Sequence, residues 1–256
     1  MSTHSATTGQ IVLVCGATGR LAPLTPRLLS RGHQVLAATR DPASPAARRL
    51  RETGAHLIRA DFADPASLRA AAVQASAVVA AGTAHAAGPA ADTRHGRAII
   101  DAAHAARTGH LVYVTAAGAS QPTGVPVIDS KHAVEQHLRD SGVPHTIIAP
   151  AYFMENAWNP WNRAALAAGR WPSPVTRTRM LQQIPLADVL AFTIHVLESA
   201  RRHVRPAHRD RLRPAHRRAS RRCHLPPARP PRARRRAAAR AGEPAVRVAG
   251  TRRPTG

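Results

Sequence analysis

The sequence predicts an α/β fold built on a doubly wound parallel sheet. Six short runs of mostly Val, Ile, Leu and Ala are apolar at consecutive positions, which is typical of parallel strands covered by helices on both faces. Helical patterns separate these runs, and one of them begins at Asp64-Pro65 with a capping residue and a proline. Because strands and helices alternate through six units, we expect one sheet with right-handed crossovers.

The elements follow in chain order. The predicted strands are Ile11–Cys15, Gln34–Ala38, His56–Arg59, Ala77–Ala81, Leu111–Thr115 and His145–Ala149. The predicted helices are Leu21–Arg31, Pro45–Thr53, Pro65–Gln74, Thr93–Ala106 and Ser130–Ser141. Gly54 and Gly142 follow two of these helices, at the position where a left-handed residue commonly ends a helix.

Length and composition limit the class of protein. The 256 residues are enough for one α/β domain, and 44% of them are hydrophobic, whereas only 3% are aromatic, so we expect a core of Ala, Val, Leu and Ile. No apolar run approaches the ~20 residues of a membrane helix, so we expect no membrane partner. Cys15 and Cys223 are isolated, which argues against a disulfide framework, and the pattern predicts no metal site.

The first residues contain no targeting pattern. Residues 1–9 lack a basic stretch followed by an apolar one, so we predict a flexible N-terminus and a cytoplasmic protein. Residues 10–199 are predicted to form the α/β domain. We expect a monomer or a homodimer.

Positive charge is concentrated at the C-terminus. The formal net charge of +23 divides into +6 for residues 1–200, with 18 basic and 12 acidic side chains, and +17 for residues 201–256, with 19 arginines and two acidic side chains. This last segment contains no Ile, Phe, Tyr, Trp or Met. Such a composition buries too little apolar surface to offset its ordering entropy, so we predict that residues 200–256 form a disordered tail rich in Arg, Pro and Ala.

Two further interpretations of this tail stay open. A GC-rich coding region that is read out of frame yields Arg, Pro, Ala and Gly, so the tail is also interpreted as a frameshift product. A basic arm that contacts the phosphates of a nucleic acid is the competing interpretation. The segment lacks interleaved aromatic residues for base stacking, and we therefore expect no specific nucleic-acid partner.

In a doubly wound sheet, ligands bind at the carboxyl ends of the strands. After the first strand, Gly16 allows a tight turn, and Gly19 lets backbone N–H groups approach a pyrophosphate. Ala22 stands at the third glycine position of the usual pattern, which contacts the neighbouring strand and also accepts alanine. The loop therefore predicts a dinucleotide site, with a glycine turn that binds no ligand as the alternative.

The next two strand ends refine this prediction. Arg40 follows the second strand, and its guanidinium suits a 2′-phosphate better than a ribose hydroxyl, which favours NADP(H) over NAD(H), although NAD(H) remains possible. Asp61 and Phe62 follow the third strand, where an adenine would lie. The alternative for Asp61 is that it and Asp64 only cap the next helix.

These pieces together resemble the NmrA-like branch of the atypical short-chain dehydrogenases/reductases. The resemblance covers about residues 10–199 and depends on the segments GATGRLA, ATRDP, RADFADPASL, HLVYVTAAGA, SKHAVEQHLRDSGVPHTIIAPAYFMENAW and LQQIPLADVLAF. It implies a cytoplasmic Rossmann-type protein that binds NADP(H) or NAD(H). Members of this family include reductases of small ketones, quinones and phenolics, and also non-catalytic nucleotide sensors.

The resemblance also implies roles for individual residues. It assigns Gly16, Thr18, Gly19, Arg20 and Leu21 to the pyrophosphate loop, and Arg40 to the 2′-phosphate. Asp61 and Phe62 match the adenine position. Gly82, Thr83 and Lys131 match the position of the nicotinamide ribose, and Pro150, Ala151, Tyr152 and Phe153 match that of the nicotinamide.

Two departures concern the chemistry. The superfamily uses Y-x-x-x-K, in which the tyrosine gives a proton to the carbonyl, but Val127 stands four residues before Lys131. Of the residues where a helper serine is expected, only Thr115 has a hydroxyl. Tyr152 or Lys131 could supply the proton instead.

The expected function follows with its alternatives. We expect an NADPH-dependent oxidoreductase that acts on a small carbonyl or quinone as its small-molecule substrate. A sensor of NAD(P) without catalysis is the first alternative. A frameshift-truncated inactive relative is the second, since members of the family normally continue with another strand and a C-terminal substrate lobe.

Overall fold

A computed structural model describes residues 9–83, 87–171, 173–176, 178–203 and 221–223. In these residues seven strands form one parallel sheet in the order β3-β2-β1-β4-β5-β6-β9, and two short strands, β7 and β8, form a separate parallel pair. The strands are β1 Ile11–Cys15, β2 Gln34–Thr39, β3 His56–Arg59, β4 Ala77–Ala81, β5 His110–Val114, β6 His145–Ile148, β7 Tyr152–Phe153, β8 Gln183–Ile184 and β9 Arg221–Cys223. The predicted doubly wound α/β fold is confirmed.

Helices connect the strands. They are α1 Leu24–Leu29, α2 Pro45–Glu52, α3 Pro65–Ala72, α4 Pro89–Ala105, α5 Pro126–Asp140, α6 Pro160–Ala167 and α7 Leu186–His203, with a 3-10 helix at Met154–Trp158. Gly54 and Gly142 follow α2 and α5 with φ of +96° and +74°, which confirms the left-handed helix ends. No helix in the described part of the chain is long and apolar enough to cross a membrane.

Helix α1 begins three residues later than the sequence predicts. Turns precede it, in which the N–H of Leu24 donates to the carbonyl of Leu21 over 2.9 Å. An α-helix that began at Leu21 would require the backbone N–H of Pro26 to donate to Ala22, and proline has none. The prolines therefore lengthen the loop that follows β1.

The core lies on both faces of the sheet. Val12 and Val14 point into one apolar cluster, and Leu13 and Cys15 point into the other, as the alternation of side chains along a strand requires. Helix α7 covers the first cluster with apolar residues that include Leu190. Ala, Val, Leu and Ile make up most of both clusters, as the composition predicts.

Of the C-terminal segment that is predicted to be disordered, the structure describes only residues 200–203 and 221–223. Helix α7 continues past residue 199 to His203, and Arg221–Cys223 pair in parallel with Thr146–Ile148 of β6 as the seventh strand. The rest of that prediction, and the predicted flexible N-terminus at residues 1–8, lie outside the described residues. A sheet strand thus occurs within a segment for which the sequence predicts none.

Two histidines at the amino ends of β5 and β6 predict that acid destabilises the fold. Burial lowers the pKa of His110 to about 4, with a further contribution from His145, and burial also lowers the pKa of His145. Both rings are therefore neutral in the folded chain, whereas the unfolded chain protonates them below about pH 6.5. We expect the free energy of unfolding to fall as the pH falls from about 6.5 to 4, by about 2–3 kcal/mol for His110. Urea unfolding at a series of pH values measures this. A His110→Gln variant with the same slope as the wild type would contradict it.

Candidate functional site

The carboxyl ends of six strands meet along one edge of the sheet. Because β1 lies between β2 and β4, the order reverses there, which is where ligands bind in such sheets. The loops after these strands contain one predicted residue or more each, among them Gly16, Arg40, Asp61, Gly82, Thr115 and Pro150. The fold therefore brings the predicted positions to a common edge.

The glycine loop presents free backbone donors. Gly16 has a φ of +85°, in the left-handed region that favours glycine, and its carbonyl accepts from the N–H of Gly19 over 3.0 Å. Among the described residues, none accepts a hydrogen bond from the N–H groups of Thr18, Arg20 or Leu21. Successive unpaired N–H groups in a turn make a concavity that binds anions. The loop is suited to a phosphate.

The Arg20 side chain contacts a segment that is distant in sequence. Its guanidinium donates to Oδ1 of Asn156 over 2.7 Å and lies 5.4 Å from the ring centre of Phe153. Arg20 thus joins the glycine loop to the residues after β6. The sequence indicates a phosphate contact for Arg20 but does not indicate these partners.

Arg40 is exposed, and no residue in the described ranges forms a hydrogen bond or ion pair with its guanidinium. The neighbouring Asp41 accepts from the N–H of Ala43 over 2.8 Å, which shapes the turn before α2. The turn therefore leaves the Arg40 guanidinium available at the end of β2.

The two acidic residues after β3 have different roles. Asp64 caps α3 by accepting from the N–H groups of Ala66 and Ser67, at 3.0 and 3.3 Å. Asp61 accepts instead from Ala63 within the loop, over 2.9 Å. Helix capping thus belongs to Asp64, and Asp61 is left at the strand end.

A buried carboxylate joins the loop after β4 to two helices. Asp92, in the first turn of α4, accepts from the backbone N–H of Thr83, from Oγ of Ser130 at 3.0 Å and from Nζ of Lys131 at 3.4 Å. A Cβ on Gly82 would lie 2.3 Å from the same Nζ, so a side chain there would displace the ammonium group from its present position. Asp92 was not among the residues predicted from the sequence. An acidic side chain near the start of a helix that follows a strand end would have indicated it as a candidate site residue.

The chain has two tyrosines, and their positions bear on proton donation. Tyr113 is fully buried in β5, and burial together with the nearby Asp92 carboxylate raises the pKa of its phenol. It therefore stays protonated away from solvent and cannot reach a substrate. Tyr152 is half-buried after β6, and Val127 lies one helical turn before Lys131 on α5, as the spacing requires.

The segment after β6 is fixed at both ends. The Pro150 carbonyl accepts from the N–H of Ala117 over 2.8 Å, next to the loop that contains Thr115. Both carboxylate oxygens of Glu155 accept from the N–H of Leu186 at the start of α7, at 2.9 and 3.0 Å. Thr115 is buried and its hydroxyl has no partner among the described residues.

Other features of the described surface lie elsewhere. No group of three or more metal-binding side chains occurs in the described residues. An open groove of about 310 Å³ lies between α3 and α4, and its lining includes Arg69, Arg94 and Arg97 but none of the predicted site residues.

Comparisons with known proteins agree with this architecture. The profile of the NmrA-like family matches residues 8–216, which extends past residue 199 where the resemblance was expected to end. An NmrA-like domain-containing oxidoreductase of Penicillium ochrochloron is 32% identical over 58% of this chain and 49% of its own length. The chain spans about half the length of the curated relatives it matches.

Solved structures share the fold. The NADPH-dependent quinone oxidoreductase of Escherichia coli, in complex with NADPH, is 27% identical over 62% of this chain and 54% of its own, with a TM-score of 0.53. NmrA, a negative transcriptional regulator in complex with NADP, is 20% identical over 75% of this chain and 63% of its own, with a TM-score of 0.62.

Proposed function

This chain belongs to the NmrA-like family, and we propose that it is an NADPH-dependent oxidoreductase that reduces a small quinone. One observation supports the cofactor above all: the Arg40 guanidinium and three N–H groups of the glycine loop have no partner among the described residues, and they lie at the ends of adjacent strands. Both sites suit phosphate groups, and NADP(H) has a pyrophosphate and a 2′-phosphate. NAD(H) lacks the second and is proposed to bind more weakly.

The other predicted residues complete the proposed site. Asp61 and Phe62 would lie beside the adenine, Lys131 and the backbone at Gly82 beside the nicotinamide ribose, and Pro150, Tyr152 and Phe153 beside the nicotinamide. Bound there, the nicotinamide supplies a hydride to the substrate. The residues of this chain hold the two reactants and exclude water from them.

The substrate class follows from the missing tyrosine. A ketone that accepts a hydride becomes an alkoxide, which is about as basic as hydroxide, and it needs a proton donor in the transition state. A quinone becomes a phenolate, whose conjugate acid resembles tyrosine with a pKa near 10. Since Val127 occupies the tyrosine position and Tyr113 is buried, the site is better suited to the quinone, whose product anion depends less on a proton donor.

A turnover assay tests this proposal. We expect NADPH oxidation with 1,4-naphthoquinone at a rate well above a reaction without protein, and none with cyclohexanone. Tyr152→Phe tests one of the two candidate acids, the other being Lys131, and a loss of turnover below about tenfold is expected because the product is weakly basic. Turnover of cyclohexanone, with none of the quinone, would contradict the assignment of the substrate.

A sensor of NAD(P) is the second candidate. Val127 favours it, since the residue four positions before Lys131 has no proton to donate, and NmrA, which has this fold, is a transcriptional regulator. NADPH binding without oxidation of NADPH by any quinone or carbonyl compound would select the sensor.

A further inference from the structure

Lys131 and Asp92 form an ion pair that is almost closed to solvent. The two residues are 8% and 1% exposed, and Nζ lies 3.4 Å from Oδ2. Removing two charges from water costs more than their attraction commonly returns, so apolar residues would stabilise such a position as well or better. The stability of the fold therefore does not explain this pair.

The surroundings of the pair restrict it to one arrangement. Asp92 also accepts from Ser130 and from the N–H of Thr83, so one carboxylate connects α4, α5 and the loop after β4. Gly82 has no side chain, which leaves room for the ammonium group. Lys131 is moreover the only lysine of the sequence, in which every other strongly basic side chain is an arginine.

We propose that Asp92 is a positioning residue for the nicotinamide half of the nucleotide: it holds the Lys131 ammonium and the Gly82–Thr83 backbone in the geometry that binds the nicotinamide ribose. This inference rests on the proposed function, since it assumes that the nucleotide binds along the strand ends. Lys131 contacts the ribose hydroxyls, whereas Asp92 acts through Lys131 and the loop and contacts no part of the nucleotide. A side chain preorganised in this way loses little freedom on binding.

The Asp92→Asn variant tests the role of the charge. Asparagine keeps an oxygen for the Thr83 N–H but loses the partner charge of Lys131. We expect NADPH to bind about tenfold more weakly, which corresponds to one hydrogen bond of a charged group. Adenosine 2′,5′-bisphosphate, which has no nicotinamide ribose, should bind with unchanged affinity. Fluorescence titration and calorimetry measure the two dissociation constants.

Two further variants separate positioning from a general structural effect. Asp101→Asn removes an exposed carboxylate of the same helix, which pairs with His137, and should change neither affinity. In a Lys131→Met background, Asp92→Asn should have no additional effect on NADPH, since the ammonium group is already absent and asparagine keeps an oxygen for the Thr83 N–H. If Asp92→Asn alone does not fold, the double variant, which buries no unpaired charge, is compared with Lys131→Met.

The single lysine also gives a spectroscopic signature. Wild-type chain labelled with ¹⁵N-lysine has one side-chain ammonium signal, which should shift with NADPH and not with adenosine 2′,5′-bisphosphate. In Asp92→Asn this response should be reduced. An equal or tighter NADPH affinity in Asp92→Asn, or an equal loss for both ligands, would overturn the inference. A wild type that binds no NADPH would instead overturn the proposed function.

Discussion

Replacing Gly19 by valine should abolish NADPH binding while the fold remains. An added Cβ would lie 3.4 Å from the carbonyl oxygen of Gly16 and would meet no other described atom within 4 Å, so the folded chain tolerates it. The larger valine side chain would occupy the space in which a pyrophosphate reaches the N–H groups of Arg20 and Leu21. Losing two or more hydrogen bonds to a charged group costs about 3 kcal/mol or more, so we expect the affinity to fall at least about 100-fold.

A control variant and thermal unfolding separate the effect on the glycine loop from a general effect on stability. Ala70→Val places the same side chain at an exposed position of α3 and should leave the dissociation constant unchanged. Thermal unfolding of both variants should match that of the wild type within about 0.5 kcal/mol, the usual range for surface substitutions. Wild-type affinity in Gly19→Val would show that the nucleotide does not bind on this loop.

Much of the fold was predictable from the sequence because its signals are local. Consecutive apolar residues define each buried parallel strand, and His56–Arg59 and Ala77–Ala81 begin and end where predicted. Helix ends were less predictable: α4 begins at Pro89, four residues before the predicted start, because its first turn, PAAD, contains no large apolar residue that would mark the helical period. The strand Arg221–Cys223 was not predictable, since three residues rich in arginine have no strand pattern.

The site was predictable only where it depends on strand ends. The positions of Gly16, Arg40 and Asp61 follow from the topology, since each residue lies within two positions of the end of a parallel strand. The contacts of Asp92 with Lys131 and of Arg20 with Asn156 connect residues 39 and 136 positions apart. A single sequence contains no signal for such pairs, because neither residue type requires its partner locally.

Those two unpredicted contacts both lie in the part of the proposed site that would hold the phosphates and the nicotinamide. Arg20 connects the glycine loop to the segment that would cover the nicotinamide, and Asp92 connects Lys131 to the loop after β4. Arg40 has no hydrogen-bond or ion-pair partner within the described residues, whereas Phe62 packs edge-on against His95 of α4, with 5.8 Å between the ring centres. Cofactor preference should therefore depend on Arg40 with little coupling to the nicotinamide half.

Replacing Arg40 by alanine should change which dinucleotide the chain prefers. The guanidinium is exposed at the end of β2, without a hydrogen bond or ion pair in the described residues, so its removal leaves no buried partner unpaired. A charged hydrogen bond to the 2′-phosphate contributes about 1.5–3 kcal/mol, so NADPH should bind about 10- to 150-fold more weakly. NADH, which has a hydroxyl at that position, should bind with nearly unchanged affinity.

The comparison of the two cofactors decides what Arg40 does. Arg59, at the end of the adjacent strand β3 and also exposed, is the matched control, and Arg59→Ala should change neither affinity. The NADPH affinity of the wild type should also fall with added salt more steeply than that of Arg40→Ala, because the lost contact is ionic. Equal losses for NADPH and NADH in Arg40→Ala would show that this arginine supports the site as a whole. The preference for NADP(H) would then need another source among the residues that follow the strands.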